Sequence, residues 1–201
     1  MVNWAVAAVG MQGKLDMFRT VSLSNLIGSF ATAACALATV PDAVAAEQPV
    51  QAEKNPPGDI PDTQVFIASK SKDGYALKVP EGWARTDMPA GARFADKLDG
   101  VIVTLTDAGV PPTVASARSD YLPQLEKKER AVKIDAVKAV TLPAGKVIRI
   151  AYSSNSEPNQ VTSKQIRLEN LRFFYFRNGK LLALELYAPL VADNVDQWKL
   201  M

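Results

Sequence analysis

Leu171-Arg172-Phe173-Phe174-Tyr175-Phe176-Arg177-Asn178-Gly179-Lys180-Leu181-Leu182-Ala183-Leu184-Glu185-Leu186 is the stretch that decides the fold. Asn-Gly between two apolar runs is the strongest short hairpin signal, because a two-residue type I′ turn needs φ > 0 at both central positions. With Asn178-Gly179 as the loop, Arg177 faces Lys180. Tyr175 then opposes Leu182, Phe173 opposes Leu184 and Leu171 opposes Leu186, a wholly apolar face. On the other face Phe176 meets Leu181, Phe174 meets Ala183 and Arg172 meets Glu185. Large apolar groups on both faces predict a sheet covered on both sides, with helices on each side.

Upstream, Lys146 to Tyr152 and Val132 to Leu142 read as strands joined by Pro143-Ala144-Gly145. Ser153 to Asn159 reads as a polar loop, and Lys127 to Lys133 as a solvated mixed-charge face. Pro111-Pro112-Thr113 opens a helix with Thr113 as N-cap. Val114, Ala117, Tyr121 and Leu125 recur at helical spacing, and Pro123 is expected to kink or divide the helix. Val101 to Thr106 is a β-branched strand with Val101, Val103 and Leu105 on one face. Ala92 to Asp96 is a shorter strand. Tyr75, Leu77 and Val79 alternate with Ala76 and Lys78 in a half-buried strand ended by Pro80. Gln64 to Ala68 is a short apolar run. Downstream, Asp193 or Asn194 caps a closing helix with Val195, Trp198 and Met201 on its face. A helix of about two turns does not hold by itself, so either packing fixes it or the chain is cut short there.

The N-terminal part has another character. Arg19 follows Met17, Val21 to Val40 carries no charge, Pro41 breaks the run, and Ala43-Val44-Ala45-Ala46 follows. A basic start, an apolar middle and a small-residue cleavage site describe a secretory signal peptide over residues 1–46, with Met17 as an alternative true start. Two other readings are a retained transmembrane anchor and a lipid-attached lipoprotein using Cys35 after Thr32-Ala33-Ala34. Residues 47–63, with four prolines and little apolar content, read as a linker or an ordered but irregular arm. Residues 64–201 form the α+β domain.

Composition narrows the chemistry. The 201-residue chain has 48% hydrophobic and 22% charged residues, ordinary globular values. Its net charge is +2. Lys14, Arg19, Asp16 and Asp42 cancel, so the balance is unchanged after cleavage. That is too even for a nucleic-acid footprint. The chain contains no histidine, and Cys35 is its single cysteine. A catalytic triad with histidine, a Cys-His pair, a redox cysteine pair and a Cys/His zinc site are all excluded from residues 47–201. Carboxylate, lysine or tyrosine chemistry and an all-oxygen cation site remain.

Asp73-Gly74-Tyr75-Ala76-Leu77-Lys78-Val79-Pro80-Glu81-Gly82-Trp83 resembles the opening strand of PsbP-like domains, in which an aromatic-rich strand runs into Pro-x-Gly-Trp. The strand ending near Phe94-Ala95-Asp96, the Val101 to Leu105 strand, the helix, the long hairpin through Asn178-Gly179 and the closing helix with Trp198 continue the resemblance over residues 64–201. It implies an α-β-α sandwich around a central antiparallel sheet. Members are mostly non-enzymatic. Plant and cyanobacterial ones are lumenal and support photosystem II or its assembly. Relatives in non-photosynthetic bacteria are exported proteins or lipoproteins, and a nuclear branch binds the GTPase Ran. Here the metal-ligating histidines of photosynthetic members have no counterpart, and only Arg19 precedes the apolar run, without a twin-arginine or transit feature. The family continues past its closing helix, which implies a truncated C-terminus.

No residue is singled out as catalytic, cofactor-binding or metal-ligating, and no cofactor is expected. Gly145-Lys146 has Val140 where a phosphate loop needs its first glycine. Asp96 and Asp99 flank a turn and read as backbone caps rather than cation ligands. Trp83 reads as a plug at the sheet edge, and Arg172–Glu185 as a structural cross-strand pair. The expectation is a non-catalytic exported binding or assembly module, periplasmic, with another protein as partner. Nucleic acid is not a partner, and a membrane is one only through lipid at Cys35. The alternatives are a small exported hydrolase using carboxylates, marked by a concave site with converging carboxylates, and an accessory protein of photosystem II in the thylakoid lumen.

Overall fold

The computed structural model describes residues 46–201. The signal peptide, the start at Met17 and the Cys35 lipid site all lie outside the described residues.

Seven antiparallel strands form one sheet. Their spatial order starts with Ala84–Met88 (β3), Gly91–Ala95 (β4) and Gly100–Asp107 (β5). It continues with Lys180–Pro189 (β9), Arg167–Arg177 (β8), Gly145–Asn155 (β7) and Arg130–Leu142 (β6). Phe66–Lys70 (β1) and Ala76–Pro80 (β2) make a separate two-stranded sheet. The β8–β9 hairpin sits near the sheet's centre in the expected register, from Arg177↔Lys180 through Arg172↔Glu185 to Leu171↔Leu186. Its loop residues Asn178 and Gly179 have φ of 50° and 72°, the type I′ signature.

Each face of the sheet has its own core. On one, Phe174, Ile148, Ile150 and Leu181 pack under the helical segment through Ala117 and Leu125. On the other, Val101, Val103 and Leu186 are covered by Leu77, Val79, Trp198 and Ile60. The second cover is therefore mostly the β1–β2 hairpin and the irregular arm. Its helical part is a single turn, Val195–Trp198 (α3), so the chain is richer in sheet than two helical layers imply.

The helical segment begins as expected. Thr113 caps Val114–Ser116 (α1), its Oγ1 accepting from the Ser116 N–H at 3.0 Å while Ser116 Oγ accepts from the Thr113 N–H at 2.9 Å. Ahead of Pro123 the chain widens into a π turn over Ala117–Tyr121, then tightens into Leu122–Lys128 (α2). Proline has no N–H to give and its ring crowds the carbonyl four residues back, and the wider turn accommodates both. Tyr121 stacks on Phe174 with centroids 4.5 Å apart.

Three expectations are corrected. β3 has no counterpart in the sequence reading: Ala-Arg-Thr-Asp-Met is mostly exposed, and backbone pairing to β4 at the sheet edge makes it a strand. Ser153 to Asn155 is not loop but the end of β7, with all three residues buried. Lys127 to Lys133 is largely solvated as read, with Arg130 Nε 2.8 Å from Glu47. In α3 Val195 is 52% exposed, and Gln197 is buried beside Trp198. Asn194 occupies the N-cap position but does not cap. Its Oδ1 accepts from the Ile60 N–H at 2.6 Å and its Nδ2 donates to the Gly58 carbonyl at 2.8 Å.

Candidate functional site

The β1–β2 hairpin leaves part of the sheet face beneath it uncovered. The result is a half-open cleft of about 740 Å³. Pairing builds its floor: Leu105 lies beside Leu182, which lies beside Tyr175, and Val103 lies beside Leu184. All five therefore share one face. Tyr75 and Leu77 form the roof. Arg177 and Lys180 stand at the Asn178-Gly179 end on the floor's own face, with Asp73 the single acidic side chain of the lining. Lys146 borders the cleft too, but it lies two residues before Ile148 and so alternates to the helix face. Lys180 pairs with Asp107 at 2.5 Å, whereas Lys146 and Arg177 pair with no carboxylate among the described residues.

A second group of polar residues lies buried on the helix face. Tyr152 Oη donates to Glu185 Oε1 at 2.5 Å, and Arg172 donates through Nε to Glu185 Oε2 at 3.0 Å and again through Nη2. Burial, then the Glu185 charge, hold the Tyr152 hydroxyl far above its ordinary range. Burial, with Glu185 next in weight, also raises the Glu129 carboxyl. Every polar end of this trio meets another, which is the arrangement of a structural ion pair. Nearby, Arg93 donates to Tyr187 Oη, and the Tyr187 ring lies where a Cβ on Gly100 would sit within 2.2–2.5 Å of it. Glycine is what admits the ring there.

The sequence candidates end in separate places. Asp96 and Asp99 close a turn, the Asp96 N–H donating to the Asp99 carbonyl at 3.2 Å. Asp99 is 5% exposed, and its Oδ1 finds no partner among the described residues. Burial, then Asp96 and Asp59, push its carboxyl up to about 7. Among the described residues no three His, Cys, Asp or Glu side chains converge as a metal site would need. Trp83 is half-buried against the hairpin-face core. Gly145 and Lys146 belong to the β6–β7 turn and strand, with no helix after them to hold a phosphate. The sequence reading gave Arg177 and Lys180 no role beyond facing each other across the turn. Their placement was nonetheless implicit, because the register that puts Tyr175 and Leu182 on one face puts Arg177 and Lys180 there too. What was hidden was the roof, since nothing local says where the β1–β2 hairpin docks.

The arm over residues 47–62 is tied at both ends. Glu47 Oε1 accepts from Asn155 Nδ2 at 2.8 Å and Gln165 Nε2 at 2.7 Å, which with Arg130 holds its carboxyl below the usual range. Asp62 Oδ1 accepts from Gln197 Nε2 at 2.6 Å. Arg167, itself buried, donates to Asn155 Oδ1, Ser153 Oγ and the Ser153 and Ala131 carbonyls. This is why the polar end of β7 can be buried.

No helix among the described residues is long and apolar enough to cross a membrane. Neither a protein-family model nor a curated protein matches the chain. Solved structures do match. One is the solution structure of cyanobacterial PsbP from Synechocystis, at 16% identity and a TM-score of 0.47, covering 72% of this chain and 92% of that one. Another is a protein of unknown function from Pseudomonas aeruginosa, at 13% identity and a TM-score of 0.42, covering 67% and 91%.

Proposed function

We propose that this chain is an exported, non-catalytic binding module of the PsbP-like type that acts through protein–protein contacts. The observation that carries the reading is the free edge of β1. The Lys78 N–H donates away from β1, to the Met201 carbonyl, so Ala68, its partner, occupies a non-hydrogen-bonded position. In an antiparallel pair that alternation points the N–H and C=O of Phe66, Ala68 and Lys70 outward from the hairpin. Among the described residues no strand pairs with that edge. Val65 and Ile67 beside it are 57% and 47% exposed. An edge of this kind accepts an extended segment of a partner as an added strand. The reading of Arg19 and of Val21 to Ala46 as an export signal supports a partner outside the cytoplasm.

The test is capture of the partner by the full chain from its own exported fraction, compared with Ala68→Pro. Proline removes one outward N–H and leaves the β1–β2 ladder untouched, since Ala68 gives that ladder no hydrogen bond. A partner held by strand addition is lost from Ala68→Pro at unchanged melting temperature. A partner retained equally by both proteins refutes the proposal.

A further inference from the structure

We propose that the cleft between β2 and the β5–β9–β8 floor is a binding site for a small amphipathic anion: one apolar chain or ring system with a single carboxylate or phosphate head. The proposal goes beyond docking at β1 and uses different groups.

Three observations converge on it. The first is size and form. About 740 Å³ lies within the range of small-ligand sites, and the cleft is neither enclosed nor flat. The second is the floor. Leu105, Leu182, Leu184 and Tyr175 are central residues of a sheet, yet all four are only partly buried. The hairpin that covers Val103 and Leu186 completely stops short of them. An apolar chain laid along this strip recovers burial that the fold itself leaves unused. The third is charge. Two cations, Arg177 and Lys180, stand on the floor's face, and Asp73 is the single acidic side chain of the lining. Asp73 already accepts a hydrogen bond from Ser71 Oγ at 3.0 Å, and Lys180 is held by Asp107. Arg177 is left with donors and no carboxylate among the described residues. A carboxylate or phosphate there gains charge-assisted hydrogen bonds that an uncharged head cannot. Arg177 offers the planar fork that matches either head in bidentate fashion. The apolar strip and the cations meet at the same end of the cleft, so one molecule can use both.

The experiment is calorimetric titration of the full chain with dodecanoate, dodecyl phosphate and dodecanol, each below its aggregation limit. The variant Arg177→Gln is titrated alongside. Arg177 is exposed, and the melting temperature of the variant checks its fold. One saturable site is expected for at least one of the two anions, and which of them binds tighter identifies the head group. Dodecanol is expected to bind at least ~10-fold more weakly, and the variant to lose ~10-fold or more for the anion with dodecanol unchanged. Absence of saturable binding by both anions overturns the proposal. So does equal affinity for dodecanol, or undiminished anion binding by the variant. Partner capture through β1 is read separately, so loss of one result leaves the other standing.

Discussion

Arg172 lies directly across from Glu185 on adjacent strands, and both of its donors on that side reach Glu185 Oε2 while Tyr152 takes Oε1. The side chains are only 17% and 11% exposed. A cross-strand pair at the surface is worth roughly 0.2–1 kcal/mol. Under the helix, the same pair matters mainly through what its loss would strand. Glu185→Leu leaves a guanidinium and a phenol buried without their acceptor, and is expected to cost about 3–5 kcal/mol. The double change Arg172→Met, Glu185→Leu is expected to recover much of that, because no charge stays uncompensated. Urea unfolding of the two variants decides it: equal losses would mean that the stranded charge is not the cause.

Two turns make opposite predictions. Gly179 sits at φ 72° with only the Ala108 carbonyl near a Cβ, at 3.9 Å, so space is not its constraint. Gly179→Val is therefore expected to cost about 1–3 kcal/mol through backbone conformation alone. Val191 is the reverse case. It holds φ 82° in the turn where the Ala192 N–H donates to the Pro189 carbonyl, and it is 63% exposed. A β-branched residue at that position is strained. Val191→Gly is expected to raise stability by about 1 kcal/mol, the strain relieved less the added freedom of the unfolded chain. Thermal melting of both variants, one down and one up, is the check.

The hairpin was legible because its information is local: one Asn-Gly pair sets the loop, and a period of two sets every facing residue from it. The Thr113 cap and the disturbance before Pro123 were legible for the same reason. β3 was not, since Arg85, Thr86 and Asp87 carry no apolar alternation and the strand exists through pairing with β4. The burial of Ser153 to Asn155 was not, because it depends on the Arg167 guanidinium twelve residues on from Asn155. The arm gave even less: Ile60 and Gly58 are held by Asn194, 134 and 136 residues away. The cleft combines both kinds, with a floor that follows from register and a roof that follows from nothing local.

Asn194 is the clasp between arm and C-terminal turn, and it is fully buried. Asn194→Ala strands the Ile60 N–H and the Gly58 carbonyl, at about 1–3 kcal/mol for each group that stays dry. Water or fraying relieves that cost by releasing the arm. The expected signature is thus faster proteolysis within residues 56–62, together with a lower melting temperature. Unchanged cleavage in that segment would show that the arm is held without the clasp.

Asp99 sets the direction of pH dependence. Its carboxyl is raised from 3.8 to about 7, first by burial and then by the like charges of Asp96 and Asp59. Tyr187 faces the same region, and Gly58 lies so close that a Cβ there would come within 2.6 Å of Asp99 Oδ1. The folded chain keeps the proton to about pH 7, whereas the unfolded chain releases it near pH 4. The contribution is therefore complete below about pH 4, is lost as pH rises toward 7, and changes little beyond. Raised Glu129 and Glu169 carboxyls, both lifted chiefly by burial, act in the same direction. The loss attributable to Asp99 is about 2–4 kcal/mol, the lower figure allowing for solvent screening. Asp99→Asn keeps the shape and removes the titration. Its urea midpoint is expected to fall less than that of the natural chain between pH 5 and pH 8, and to lie above it at pH 8. Parallel profiles for the two proteins would mean that Asp99 does not hold its proton in the folded state.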